Sequence, residues 1–315
     1  MPKVPGPLSA VSTIRNFIDV MKEFSFDEVR DSAERMPRIV VLAGTKETAD
    51  AVGAALTGVS GSPAIAAETL DATNLNLERA DVVVVHDPTS GKSFARLRSQ
   101  APRAGAGVFD LPTFDPGNLE SIEQLRSRIA NQLPELAPSL GRWFKPFRTA
   151  ASKAVIDESA KVNAQFALVS NIPAMIPIVG SLAAAGADFI VLTKNQLMLI
   201  YKLAAIHDRD LHDRTKIIKE MIPVVGAGFG WRTIAREATA FLPLAAGTIP
   251  KVAIAYSGTM ATGWAAEFYY RYGRKPTREQ WKRYLAHATE AVREVRFPNV
   301  TNREPAPPPP AIDRA

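Results

Sequence analysis

Residues 166–187 run for 22 positions without a charged side chain. An α-helix needs about 20 apolar residues to cross a bilayer, so the length suffices. Yet Asn171, Pro173, Pro177 and Gly180 lie inside the stretch. Proline removes a backbone donor and its ring collides with the preceding turn, which excludes one straight helix. A hairpin is allowed, but at about 1.5 Å per residue it cannot cross a roughly 30 Å hydrocarbon layer twice. The stretch is therefore a shallow re-entrant hairpin or a hairpin buried within a helical bundle. Arg142, Lys145, Arg148, Lys153 and Lys161 precede it, and Lys194, Lys202, Lys216 and Lys219 follow. Short basic flanks stay on the cytoplasmic side of a membrane, so both flanks belong on one side.

Part of this stretch recurs. Ile176-Pro177-Ile178-Val179-Gly180 is echoed by Ile222-Pro223-Val224-Val225-Gly226. The phrase reads as a helix-hairpin corner used twice, with Pro173, Pro177, Gly180, Pro223 and Gly226 as its membrane or packing positions. Ala183, Ala184, Ala185, Gly186 and Ala187 permit close helix approach in either setting.

Charge divides the chain unequally. Residues 1–133 hold 14 Lys and Arg against 17 Asp and Glu, whereas residues 134–315 hold 24 against 15. The basic half is also the half with the long apolar segments, a combination suited to an anionic membrane surface. No basic-aromatic module or zinc finger is present, so nucleic acid is not expected. There is no cysteine, which excludes disulfides and thiolate metal sites. The opening MPKVPGPLSAVSTIRNF has no apolar core region, so no secretory signal is expected.

The organisation follows from periodicity. Residues 1–37 read as N-terminal helices that pack on the next domain. Ile14, Phe17, Ile18, Met21 and Phe24 mark one helical face, and Ser25 with Glu28 forms a capping-box pattern for a second helix ending near Arg35. Residues 38–134 read as a small α/β domain with a mostly parallel sheet. Its strands are Ile39–Leu42, Asp81–Val85 and Gly107–Leu111, and its helices are Lys46–Leu56, Phe94–Gln100 and Leu119–Leu133. Residues 135–300 read as an all-α, apolar and basic domain, ending in a helix capped by Thr277 and Gln280. Residues 301–315 read as a disordered, proline-rich tail.

Three clusters invite chemistry. Gly44-Thr45-Lys46 follows the first strand, but Ala49 and Asp50 stand where a phosphate loop needs Gly-Lys, and Asp50 repels phosphate. Gly91-Lys92-Ser93 follows a strand and precedes a helix, making it the chain's phosphate-loop candidate, although His86 replaces the first glycine. Without nucleotide, that segment is a turn whose helix is capped by Ser90 or Ser93. His207, Asp208, Asp210, His212 and Asp213 carry metal-ligand chemistry in one polar turn without the spacing of a helical site, so no metal is expected. Asp188 and Glu267 lie within apolar stretches and require a basic partner or water. No catalytic constellation emerges, and no cofactor is implied.

Residues 150–275 resemble a helical domain of unknown function appended to Era- and Ras-like bacterial GTPases. The resemblance rests on Lys161–Ala164, Ile172–Gly180, the Asp188–Leu203 segment with Asn195-Gln196-Leu197, Ile222–Gly226, and Ile249–Tyr272 with Gly263 and Tyr269-Tyr270. In the same arrangement, residues 38–134 resemble a degenerate GTPase domain. Asp71-Ala72-Thr73-Asn74 keeps the acid of the Asp-x-x-Gly signature and loses its glycine, and no Asn-Lys-x-Asp follows Asp81–Val85. The resemblance implies a pseudo-GTPase that neither binds GTP well nor hydrolyses it. With the charge split and the two Ile-Pro phrases, the expected role is a non-enzymatic adaptor or scaffold, peripheral to or shallowly embedded in the cytoplasmic face of the membrane. Its partners would be an anionic membrane surface or membrane protein, and a protein docked on the α/β domain. The rival expectations are a nucleotide-binding switch using Gly91, Lys92 and Ser93, and a soluble, cytoplasmic helical protein that binds an apolar ligand.

Overall fold

The computed structural model describes residues 25–72, 77–89, 92–99, 106–169, 181–225 and 248–294. The elements run α1 (Asp27–Glu34), β1 (Ile39–Ala43), α2 (Lys46–Thr57), β2 (Ile65–Thr69), β3 (Val82–Val85), α3 (Lys92–Ser99), β4 (Gly107–Asp110), α4 (Glu120–Gln132) and α5 (Ala137–Trp143). A 3-10 turn at Lys145–Phe147 leads into α6 (Arg148–Val169), α7 (Ser181–Ile206), α8 (Arg214–Val225), α9 (Thr248–Tyr272) and α10 (Arg278–Glu294).

The four strands form one parallel sheet in the order β2-β1-β3-β4. Every residue of β1 and β3 is buried, as expected of central strands covered on both faces. Strand β2 is absent from the sequence reading. It is an edge strand, IAAET, whose only buried residue is Ala67, and alanine and glutamate are poor strand formers. Its register, Ile39 opposite Ile65 and Ala43 opposite Thr69, is fixed by pairing with β1.

Arg126 locks α4 to α2. It is 4% exposed, donates from Nε to the Leu56 carbonyl at 2.9 Å and from Nη2 to the Ala55 carbonyl, and pairs with Glu123 at 2.6 Å. It thus satisfies carbonyls in the last turn of α2 that the helix cannot satisfy itself. Arg126→Ala is expected to cost about 3 kcal/mol, because buried acceptors lose their donor along with the packing of the arginine stem. Urea denaturation measures this, and Arg126→Lys should recover less than half, since one ammonium cannot serve all three partners.

Three differences from the sequence reading follow from tertiary contacts. Helix α1 packs chiefly on the helical half, where Phe26, Val29 and Ala33 join its apolar cluster. Only its end reaches the sheet, where Arg35 holds Asp81 through two 3.0 Å contacts and Asp81 also accepts from the Arg38 amide at 2.9 Å. The expected capping box at Ser25 and Glu28 does not form, because Ser25 Oγ bonds the amide and carboxylate of Asp27 instead. The sheet-side core also continues past Pro134: Leu136, Leu140, Phe144 and Phe147 belong to it, while Ala137 faces the helical cluster. The face of Ile14, Phe17, Ile18, Met21 and Phe24, and the proline-rich tail, lie outside the described residues.

In the helical half, α6 and α7 are antiparallel. Asn163 meets Asn195 at 2.7 Å and Glu158 meets Lys202 at 3.3 Å. Helix α9 is antiparallel to α6 and parallel to α7: Asn163 meets Thr259, and His207 meets Tyr270. The close α6–α9 approach uses Gly263, where a Cβ would come within 2.6 Å of Ile156. Among the described residues no helix is long and apolar enough to cross a membrane. The charge-free stretch is thereby divided between the end of α6, residues 170–180, and the start of α7.

Candidate functional site

Two places carry the residues singled out by sequence. The first is the C-terminal edge of the sheet. Chain order reverses between β1 and β3, and ligands of open α/β sheets bind at such a switch point. Helix α2 starts beside it and is capped from within, since Thr45 Oγ1 accepts from the Thr48 amide at 3.2 Å. Beyond β3, His86 is buried, with Nδ1 2.7 Å from the Leu111 carbonyl oxygen and its ring edge-on to Phe114. Asp87 is 5% exposed and accepts from Thr89 Oγ1 at 2.9 Å and from the Ser93 amide at 3.3 Å.

That last contact governs the Gly91-Lys92-Ser93 candidate. Lys92 and Ser93 open α3, and Lys92 is exposed, while Gly91 lies outside the described residues. A phosphate bound here would need the first amides of α3. The Asp87 carboxylate already takes the Ser93 amide, and its negative charge repels a phosphate at the same spot. Of the two expected caps, Ser90 lies outside the described residues, and the Ser93 amide is served by Asp87, six residues before it. Asp71 is exposed, its carboxyl held below the usual range chiefly by a hydrogen bond with Thr69. Thr73 and Asn74 lie outside the described residues.

The second place is a polar layer across the helical half. Asn163 Nδ2 and Gln196 Nε2 both donate to Thr259 Oγ1 at 2.9 Å, Asn195 Nδ2 donates to Asn163 Oδ1 at 2.7 Å, and Thr259 Oγ1 donates to the Ala255 carbonyl at 2.7 Å. This layer joins α6, α7 and α9 at one level. Lys161 and Lys194, two residues and one residue before the paired asparagines, lie exposed at that level. Past the layer, all three helices run toward the end of the bundle that holds Val169, Ser181 and Thr248.

Of the corner positions, Pro173, Pro177, Gly180 and Gly226 lie outside the described residues. Pro223 sits in the last turn of α8, so the second phrase ends a helix there. The polar turn at residues 207–213 separates α7 from α8 as expected, and its five singled-out side chains take different partners. His207 stacks on Tyr270, Asp208 pairs with Arg142 at 3.3 Å, Asp210 accepts from the His212 amide at 3.0 Å, His212 pairs with Glu34 at 3.3 Å, and Asp213 accepts from the Lys216 amide at 2.9 Å. No group of three potential ligands occurs among the described residues. Glu267 finds a basic partner, Arg271, at 3.6 Å, and burial raises its carboxyl above the usual range despite that pairing. Comparison with known protein families, with curated proteins and with solved structures finds no match.

Proposed function

We propose that this chain is a non-enzymatic, membrane-associated adaptor that pairs a degenerate, GTPase-like α/β part with a helical part whose apolar end meets an anionic membrane surface. The observation that carries this reading is the layout beyond the polar layer. From Lys161, α6 continues for about 12 Å to its end with no further charge, at about 1.5 Å per residue. From its start, α7 runs about 10 Å before the first charge, Asp188. An apolar end of that depth is shallower than one leaflet, about half of a 30 Å core, with Asp188 on α7 and Lys251 on α9 at its margin and Lys161 and Lys194 behind it, within reach of anionic headgroups. Both Ile-Pro phrases lead by sequence toward this end, so one surface accounts for the repeated motif.

The carboxylate of Asp87 at the start of α3 supports a role without nucleotide. Calorimetry with GTP or ATP and magnesium is expected to register no binding, and Lys92→Ala is expected to change nothing. Nucleotide binding that vanishes in Lys92→Ala would sink this part of the reading. For the membrane part, co-sedimentation with phosphatidylglycerol-containing vesicles should exceed that with neutral vesicles and weaken with salt, as exposed charges are screened beyond about 10 Å at 0.1 M. Equal failure to bind both kinds of vesicle would refute it.

A further inference from the structure

Three polar atoms, buried and unpartnered among the described residues, belong to one cluster of side chains, Tyr270, His207 and Arg209, where α7 and α9 end. Tyr270 on α9 is 6% exposed, and its hydroxyl has no hydrogen-bond partner among the described residues. The His207 imidazole stacks on that ring, with centroids 5.9 Å apart and planes 23° apart, and its Nε2 is equally buried and unpartnered. The guanidinium carbon of Arg209 lies 5.6 Å from the Tyr270 centroid, and Arg209 Nε is in the same state. Arginine Nε can only donate, a tyrosine hydroxyl can donate, and a neutral imidazole donates from one nitrogen. Three such groups together call for a ligand rich in acceptors, because buried polar atoms are normally satisfied.

The surrounding charges favour an anion. Arg148, Arg209 and Arg271 all act on His207, which burial above all, and then these arginines, hold down to about 4. Asp208 is taken by Arg142 and Glu267 by Arg271, leaving Glu220 on α8 as the acid acting on Tyr270. The C-terminal ends of α7 and α9 also lie here, and their partial negative charge opposes an anion, so the arginines must outweigh them. We propose that His207, Arg209 and Tyr270 bind a phosphate oxyanion, supplied as free phosphate or a soluble phosphomonoester. A membrane headgroup is the less fitting source: α7, 26 residues long, sets the site about 39 Å from the apolar end of the bundle.

The full chain is titrated with inorganic phosphate while the His207 ring signals are followed by NMR. A saturable shift is expected, with affinity about tenfold weaker in Tyr270→Phe, which keeps the ring and loses one charge-assisted hydrogen bond. In phosphate-free buffer Tyr270→Phe should melt at or above the parent temperature, because it discards an unsatisfied hydroxyl. The proposal is overturned by the absence of a saturable shift, by equal phosphate affinity in Tyr270→Phe, or by a lower melting temperature of that variant without phosphate. Phosphatidylglycerol vesicles should leave the His207 signals in place, and a shift produced by vesicles but not by phosphate would overturn the soluble source. Vesicle binding by Tyr270→Phe should match the parent chain, so the outcome here is separable from the membrane reading.

Discussion

Phe147→Ala is expected to lower the unfolding free energy by about 3–5 kcal/mol, the range for emptying a buried phenylalanine site. Phe147 is fully buried and belongs to the sheet-side core, its ring centroid 6.4 Å from that of Phe144. It is also the last residue before α6, whose first turn anchors the helical half. Next to it Pro146 covers Gly58, whose left-handed φ of 73° ends α2 and where a Cβ would meet Pro146 at 2.8 Å. The cavity therefore opens between the sheet and the root of the bundle. Urea denaturation should show one transition at a lower midpoint, and hydrogen exchange should show β1 and α6 losing protection together. Early melting of the sheet side with α6 and α7 still protected would mean that the two parts are stabilised independently.

The same seam marks where sequence stopped being informative. Periodicity locates α2, α4, β1, β3 and β4 to within a few residues, because each buries a regular stripe or run. The last helix is legible for a more local reason: the Thr277 amide donates to Gln280 Oε1 at 2.9 Å and the Gln280 amide to Thr277 Oγ1 at 3.2 Å, the capping box its spacing predicts. Prolines 134 and 138 suggest a linker, yet Pro138 opens α5, where a proline in the first turn costs no hydrogen bond. The composition that reads as a break is thus a helix start, and α5 serves both cores.

The sites follow the same division. Asn195 and Gln196 stand out locally as amides in an apolar helix, but their partners Asn163 and Thr259 are 32 and 63 positions away. The His207 cluster hides better still. Its turn was legible as polar, but Tyr270 arrives from another helix, and no local pattern encodes that meeting. At the sheet edge, Gly-Lys-Ser gives the signal of a phosphate loop, while the contact of Asp87 with the Ser93 amide is visible only in the fold.

Reversing both collar lysines, Lys161→Glu with Lys194→Glu, is expected to abolish most binding to anionic vesicles. Each lysine near such a surface contributes about 1 kcal/mol, so two reversals remove about 4 kcal/mol, close to a thousandfold at low salt. Both side chains are exposed and sit beside the Asn163–Asn195 pair, with Asp188 on α7 and Lys251 on α9 the charges between them and the apolar end. Neither side chain belongs to the apolar cluster of the bundle, so the fold is expected to persist. Lys153→Glu with Lys202→Glu is the control, two turns farther from the apolar end. Lys153 is exposed, but Lys202 is half-buried against Glu158 at 3.3 Å, so this pair should lose stability more than vesicle affinity. Equal loss of vesicle binding in both double variants would indicate a diffuse basic surface, and the apolar end would lose its special role. A selective loss at Lys161 and Lys194 that is absent on neutral vesicles would fix the depth of insertion at the polar layer, because charge reversal at any other level would meet water or hydrocarbon, not headgroups.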